Sequence, residues 1–275
     1  EDSEIAIGER LLLMLLVVAV VTAAVLLFLP FAVSRFVSRR SDADPGSAGG
    51  HRVAGRWRLF VYFAALGLGF MVVEVSMIQR FALLLGYPTL SLSVSLFTLL
   101  IATAIGARIS HVIGGRPARL AATVVAMWVI TALYLLVSTP ITEAALAWPS
   151  AARIVLVVAL LMPVGVLLGM FLPTGIDAAR AAAGAADADE GRLVAWCWAV
   201  NGFFSVIGST STTMLSMTFG FDRTVVVGLA LYVLAVVALA TWRGLELAVA
   251  PSTPPSATPA GPADALGGAS RSSRR

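Results

Sequence analysis

The sequence contains no lysine, a single cysteine (Cys197) and two histidines (His51 and His111). One thiol excludes an internal disulfide and any cysteine-based zinc cluster, and two histidines in loop-like segments do not assemble a metal site. Charge is also scarce, at 12% of 275 residues, against about 25% in soluble domains. So few charges cannot cover a water-soluble globule. All 19 basic residues are arginine, as a GC-rich coding sequence would give, and the formal net charge is +4. They sit in short segments between apolar runs, the pattern of positive charge retained beside a membrane, so nucleic acid is not an expected partner. What the chain has in excess is apolar side chain: 59% of its residues, with a mean hydropathy of +0.93. At about 20 residues per crossing, the apolar runs fill about seven spans. The expected fold is an all-α polytopic membrane helix bundle whose first partner is the lipid bilayer.

The chain opens Glu1-Asp2-Ser3-Glu4 without a methionine and reads as a piece of a longer protein. Its acidic flank, residues 1–10, is unlike the basic start of a signal peptide, so the first apolar run (11–31) is taken as a retained span. A polar stretch at 34–58, rich in Arg, Ser, Gly and Asp, reads as a loop. Further spans are expected at 59–78, 89–109, 120–137, 154–172, 196–219 and 224–242. Between them lie a short apolar return closed by Gly86-Tyr87-Pro88, a turn at 111–119, a Pro-flanked connection at 138–153 with a short interfacial helix, and a polar, Ala-rich loop at 173–194. The Pro, Ala, Ser and Arg-rich tail, 243–275, is expected to be disordered. Fifteen of the arginines fall on one side of this arrangement and four on the other. In a plasma (inner) membrane, that imbalance is expected to put the N-terminus outside and the C-terminus in the cytoplasm.

Glu74 is the one acid well inside an apolar run. An ionised carboxylate at mid-bilayer costs about 2.5–3.5 kcal/mol on insertion scales, so it should face protein or water. Ala64, Gly67, Met71, Glu74 and Ile78 follow steps of three and four and share one helix face. Two roles suit such a carboxyl: a structural one, protonated or hydrogen-bonded to a neighbouring helix, or a relay or cation contact. Gly67 and Gly69 are helix-packing glycines, because a nucleotide-binding glycine loop needs a preceding strand. Gln79 and Arg80 read as interfacial anchors that snorkel or hold the Gly86 turn, with substrate contact as the other role. Pro163 should kink its span unless neighbours satisfy the freed carbonyl. Gly165 and Gly169 form a GxxxG seam, and Asn201, Ser205, Gly208 and Thr212 line one side of a later span. Pro163, Pro173 and Gly175 could instead break their span where it meets that polar face, opening backbone groups to a cavity. Under the arginine-based orientation, Asn201 and Pro173 lie on the cytoplasmic side of Glu74, too far to share one small site with it.

Three blocks carry a resemblance. They are Gly67-Leu68-Gly69-Phe70-Met71-Val72-Val73-Glu74-Val75 and its continuation through Gln79-Arg80-Phe81 to Leu85-Gly86-Tyr87-Pro88, then Gly169-Met170-Phe171-Leu172-Pro173-Thr174-Gly175, then Trp196-Cys197-Trp198-Ala199-Val200-Asn201-Gly202. In order and spacing, over residues 59–242, they resemble the C-terminal membrane region of bacterial spermidine synthase-like proteins, in which an aminopropyltransferase-like domain is fused to spanning helices. Tyr87, Phe171 and Ala199 stand where that pattern favours His, Pro and Gly. The resemblance implies a soluble aminopropyltransferase-like partner domain upstream of Glu1, in a polyamine-linked transferase family, and gives this piece no catalytic residue and no cofactor of its own. The upstream cofactor, decarboxylated S-adenosylmethionine, is cytoplasmic, which pulls against the outward N-terminus. Two functions follow: a non-catalytic anchor that serves the upstream domain, or a transporter-like module for a polyamine or other small cation or proton-coupled solute, with Glu74 as its coupling group. An intramembrane enzyme is the weakest reading, because no nucleophile and base or metal-ligand set stands at helical spacing.

Overall fold

A backbone in lipid has no water to bond to, so its polar groups must be satisfied within the segment, and long apolar runs become helices. A computed structural model bears this out for residues 10–11, 13–22, 24–25, 49–112, 117–183 and 187–249, the residues the structure describes. Seven long helices follow in order: α1 (Gly49–Leu85), α2 (Pro88–Ile109), α3 (Pro117–Ala145), α4 (Ser150–Gly169), α5 (Phe171–Ala183), α6 (Asp187–Phe219) and α7 (Phe221–Val249), with a 3-10 turn at Ser110–Val112 after α2. Among the described residues no strand occurs. Six stretches are long and apolar enough to cross a membrane: Trp57–Leu85, Pro88–Val112, Ala118–Val137, Ser150–Ala181, Glu190–Phe219 and Phe221–Thr241. The protein is an all-α, multi-pass bundle. The expected first span lies partly outside the described residues, and its described apolar portion is the shorter helix Leu13–Thr22.

The helix ends run further than the apolar runs. Residues 49–58, expected in a loop, are the first turns of α1, and 79–85 are its last. The connection expected at 138–153 begins as the end of α3, which continues through Pro140 to Ala145. The loop expected at 173–194 is mostly α5 and the start of α6. The expected tail begins as helix, since α7 reaches Val249. In each case the i to i−4 ladder outlasts the greasy segment, because water tolerates a helix as well as lipid does. The remainder of the 34–58 stretch and of the tail lies outside the described residues.

The chain reverses at two left-handed glycines. Gly86 has φ 79° and Gly220 has φ 82°, a conformation that costs glycine nothing and most residues 1–2 kcal/mol. Each reversal is closed by bonds across it, Gly86 N–H to Ala82 O at 3.0 Å and Gly220 N–H to Ser216 O at 3.0 Å. Both sit at one end of the bundle, the Gly86 end. At the opposite end, the Arg58 end, Arg58 donates to the Thr241 carbonyl at 2.7 Å.

α1 is the central element and packs on α7, α6 and α2, while α2 packs on α4. Small residues set these contacts. A Cβ at Gly67 would overlap the Asn201 carbonyl of α6, and one at Gly69 would stand 3.0 Å from the Tyr232 ring of α7. Gly228 of α7 returns the favour, its Cβ position lying 2.7 Å from Val73. On the other seam, Gly165 meets Ala102, Gly169 meets the Thr103 backbone, and Gly106 meets the Val166 carbonyl. Between helices in lipid the hydrophobic effect offers no drive, so close backbone approach of this kind is what holds them.

Pro163 leaves α4 unbroken. The Gly165 and Gly169 seam just beyond it pins the helix to α2, and the break comes later, at Met170. Gly106→Ala should therefore lower the unfolding midpoint in detergent, at a cost of about 1–3 kcal/mol for overpacking. Gly202→Ala, whose Cβ would meet nothing within 4 Å, should be neutral or stabilise α6 by up to about 1 kcal/mol. Equal effects of the two changes would remove the packing account.

Candidate functional site

The break between α4 and α5 is built by polar side chains. Met170 N–H bonds back to Leu167 O at 3.2 Å, the Thr174 hydroxyl donates to Met170 O at 2.8 Å, and the Tyr62 hydroxyl of α1 donates to Phe171 O at 2.5 Å. The Met170 and Phe171 carbonyls belong to the start of α5 and not to the last turn of α4, and each takes a hydroxyl on one of its two lone pairs, which ties the break to α1 through Tyr62. Pro173 lies in the first turn of α5, where its missing N–H had no helical acceptor. Gly175 lets α5 lie on α1, since a Cβ there would run into the Tyr62 and Phe63 rings.

Beside this break lies a cavity of about 670 Å³. Its floor is α1, through Leu66, Phe70 and Met71. One wall is α2, with Leu100, Thr103 and Ala104; the other is α6, with Trp198, Asn201 and Ser205. Gly169, Leu172 and Pro173 of the break close one side, Tyr232 of α7 reaches in, and Asp177 and Arg180 of α5 stand at the Arg58 end. On the polar wall the Asn201 amide donates to Phe63 O at 3.3 Å and the Ser205 hydroxyl to Asn201 O at 2.9 Å. At the mouth Arg180 pairs with Asp177 at 3.7 Å and with Glu190 of α6 at 3.4 Å, so α5 is tied to α6 by exposed ion pairs.

The structure thus brings Asn201, Gly169 and Pro173 to one cavity. Gly67 and Gly69 lie behind its floor as packing contacts to α6 and α7. Glu74 is not in the lining. It is 6% exposed, one helical turn beyond Phe70 and Met71 toward the Gly86 end. Among the described residues no hydrogen bond or ion pair engages its carboxyl, and Tyr232 lies within its electrostatic reach.

Arg80 pairs with Asp222 of α7 and stands 5.7 Å over the Tyr134 ring of α3, joining three helices. Beside the turn at Gly86, Arg153 donates to Leu84 O at 3.1 Å and Trp148 O at 3.0 Å. The buried Gln79 side-chain oxygen has no hydrogen-bond partner.

Tyr62, Asp177, Arg180, Trp198 and Tyr232 are site residues that the sequence reading did not single out. A lone tyrosine in an otherwise apolar span was the available sign for Tyr232, and an acid and base at i, i+3 was the sign for Asp177 and Arg180. No group of His, Cys, Asp and Glu suited to a metal ion occurs among the described residues. No family model, curated protein or solved structure matches the chain.

The two tyrosines make opposite demands. Tyr62→Phe should cost about 0.5–1.5 kcal/mol in detergent unfolding, the usual worth of one hydrogen bond. Tyr232→Phe should cost nothing, because that buried hydroxyl has no hydrogen-bond partner; a loss at position 232 as large as at 62 would contradict the assignment.

Proposed function

We propose that this chain is the membrane module of a bacterial spermidine synthase-like protein, set in the inner membrane with the Arg58 end in the cytoplasm. In this reading it anchors an upstream aminopropyltransferase-like domain and offers it a membrane-embedded cavity. One observation supports service beyond anchoring: the three blocks that carry the resemblance, far apart in sequence, meet at that cavity through Phe70 and Met71, Gly169 and Pro173, and Trp198 and Asn201. A plain anchor needs apolar length and nothing that converges.

The second reading is a transporter-like module coupled through Glu74, favoured by the burial of that carboxyl behind Tyr232. Its position outside the cavity weighs against it. Liposomes containing this chain alone should take up labelled putrescine or spermidine no faster than empty ones, with or without a pH gradient. Saturable uptake abolished by Glu74→Gln would replace the anchor with the transporter.

Orientation has its own test. Thr89 and His111 are exposed at opposite ends of α2, and the sole native thiol, Cys197, is buried. An impermeant maleimide on intact cells should label Thr89→Cys and spare His111→Cys; the reverse pattern would invert the protein.

A further inference from the structure

The cavity is open sideways. Its two walls, α2 and α6, are held apart by α1 and do not pack tightly on each other. Leu100 on one wall is 60% exposed and Trp198 on the other 53%. In a bilayer that gap faces acyl chains. Along α6 the lining runs from Val194 to Ser205, roughly 17 Å at 1.5 Å per residue, which is about half of a ~30 Å hydrocarbon core. The groove therefore covers one leaflet, from the Arg58 end to near the midplane.

Its chemistry is graded along that length. The inner part is mostly apolar, lined by Phe70, Met71 and Leu100, with the Ser205 hydroxyl spent on Asn201 O and the Tyr232 hydroxyl a buried donor that has no hydrogen-bond partner. At the outer end one guanidinium, Arg180, stands between Asp177, also of the lining, and Glu190 beside it, so the trio carries a net charge of −1. An anionic head group of the leaflet is disfavoured there. A head group that brings an ammonium with its phosphate is favoured over it, the ammonium taking a carboxylate and the phosphate Arg180.

We propose that the groove between α2 and α6 is a binding site for one zwitterionic phospholipid of the leaflet at the Arg58 end, with an acyl chain along α1 and the head group at Asp177, Arg180 and Glu190. This holds whatever the upstream domain does, and goes beyond anchoring. The volume falls within the about 300–1,000 Å³ of small-molecule sites, which are mostly apolar with a few placed polar groups. That is room for one chain and part of a head group.

The test is native mass spectrometry of the chain released from nanodiscs of equimolar phosphatidylethanolamine and phosphatidylglycerol. The wild type should retain one phosphatidylethanolamine in preference to phosphatidylglycerol. Ala104→Trp places an indole in the groove from a position already exposed, so it leaves helix packing alone. It should cut retention by about tenfold or more, the worth of about 1.4 kcal/mol. Asp177→Asn with Glu190→Gln should keep the chain folded and erase the head-group preference, because the ammonium is what distinguishes the two lipids. Retention unchanged by Ala104→Trp, preference for phosphatidylglycerol, or no retained lipid from a chain whose helical circular dichroism is intact would each overturn the proposal. Since polyamine uptake is not measured here, either result leaves the anchor reading to its own test.

Discussion

Two glycines two residues apart on α1 set most of this architecture. Gly67 and Gly69 point about 200° apart around the helix, one at the backbone of α6 and the other at Tyr232 and Gly228 of α7. In lipid, apolar side chains gain little by leaving other hydrocarbon, so adhesion depends on how closely backbones approach. α1 achieves that on two sides at once and becomes the post on which α6 and α7 hang. The Asn201 and Ser205 side chains then find α1 carbonyls within 3.3–3.4 Å. Those hydrogen bonds follow from the approach and could not form across a wider seam.

The second seam is built the same way but elsewhere. Gly106, Gly165 and Gly169 bring α2 and α4 together, and this pair meets α1 on a face that α6 does not occupy. Two tight seams, α1 with α6 and α2 with α4, joined where α2 packs on α1, leave a space between α2 and α6. The cavity is thus a by-product of where the glycines lie. The helix break at Met170 lies beside it: the Tyr62 and Thr174 hydroxyls bond the first carbonyls of α5, and α5 carries Asp177 and Arg180 into the lining.

The spans and both small-residue seams were legible in the sequence, because hydropathy and three-and-four spacing are local properties. Helix ends were not. The runs 49–58 and 173–183 read as loops because they are polar, yet a helix entering the interface needs no greasy side chain to keep its ladder, only the absence of a breaker. Pro163 shows the converse. That proline is a local mark, but the helix runs on through it to Gly169, and the chain breaks at Met170, which carries no local mark. Partners across the bundle were also out of reach: nothing near Arg80 in sequence names Asp222 or Tyr134, and Arg153 gives no sign that it holds Leu84. Pairing depends on which helices adjoin, and that is decided by glycines on other spans.

The bundle is unequal along its length, which bears on what it can do. The half toward the Arg58 end contains the break, the gap and the exposed charges of α5. The half toward the Gly86 end is tied across: Arg80 to Asp222 and over Tyr134, Arg153 to Leu84, and the Ser91 hydroxyl to Ile78 O at 2.7 Å. Glu74 lies on the boundary, behind Tyr232 and on the closed side. A solute entering from the Arg58 end would meet the tyrosine before the acid, and to go further it would have to part contacts that join α1 to α2, α3, α4 and α7. Opening a conduit through that half means breaking several charged and polar contacts together. A receptacle open on one side asks for no such opening, so the packing favours holding a ligand over passing one through.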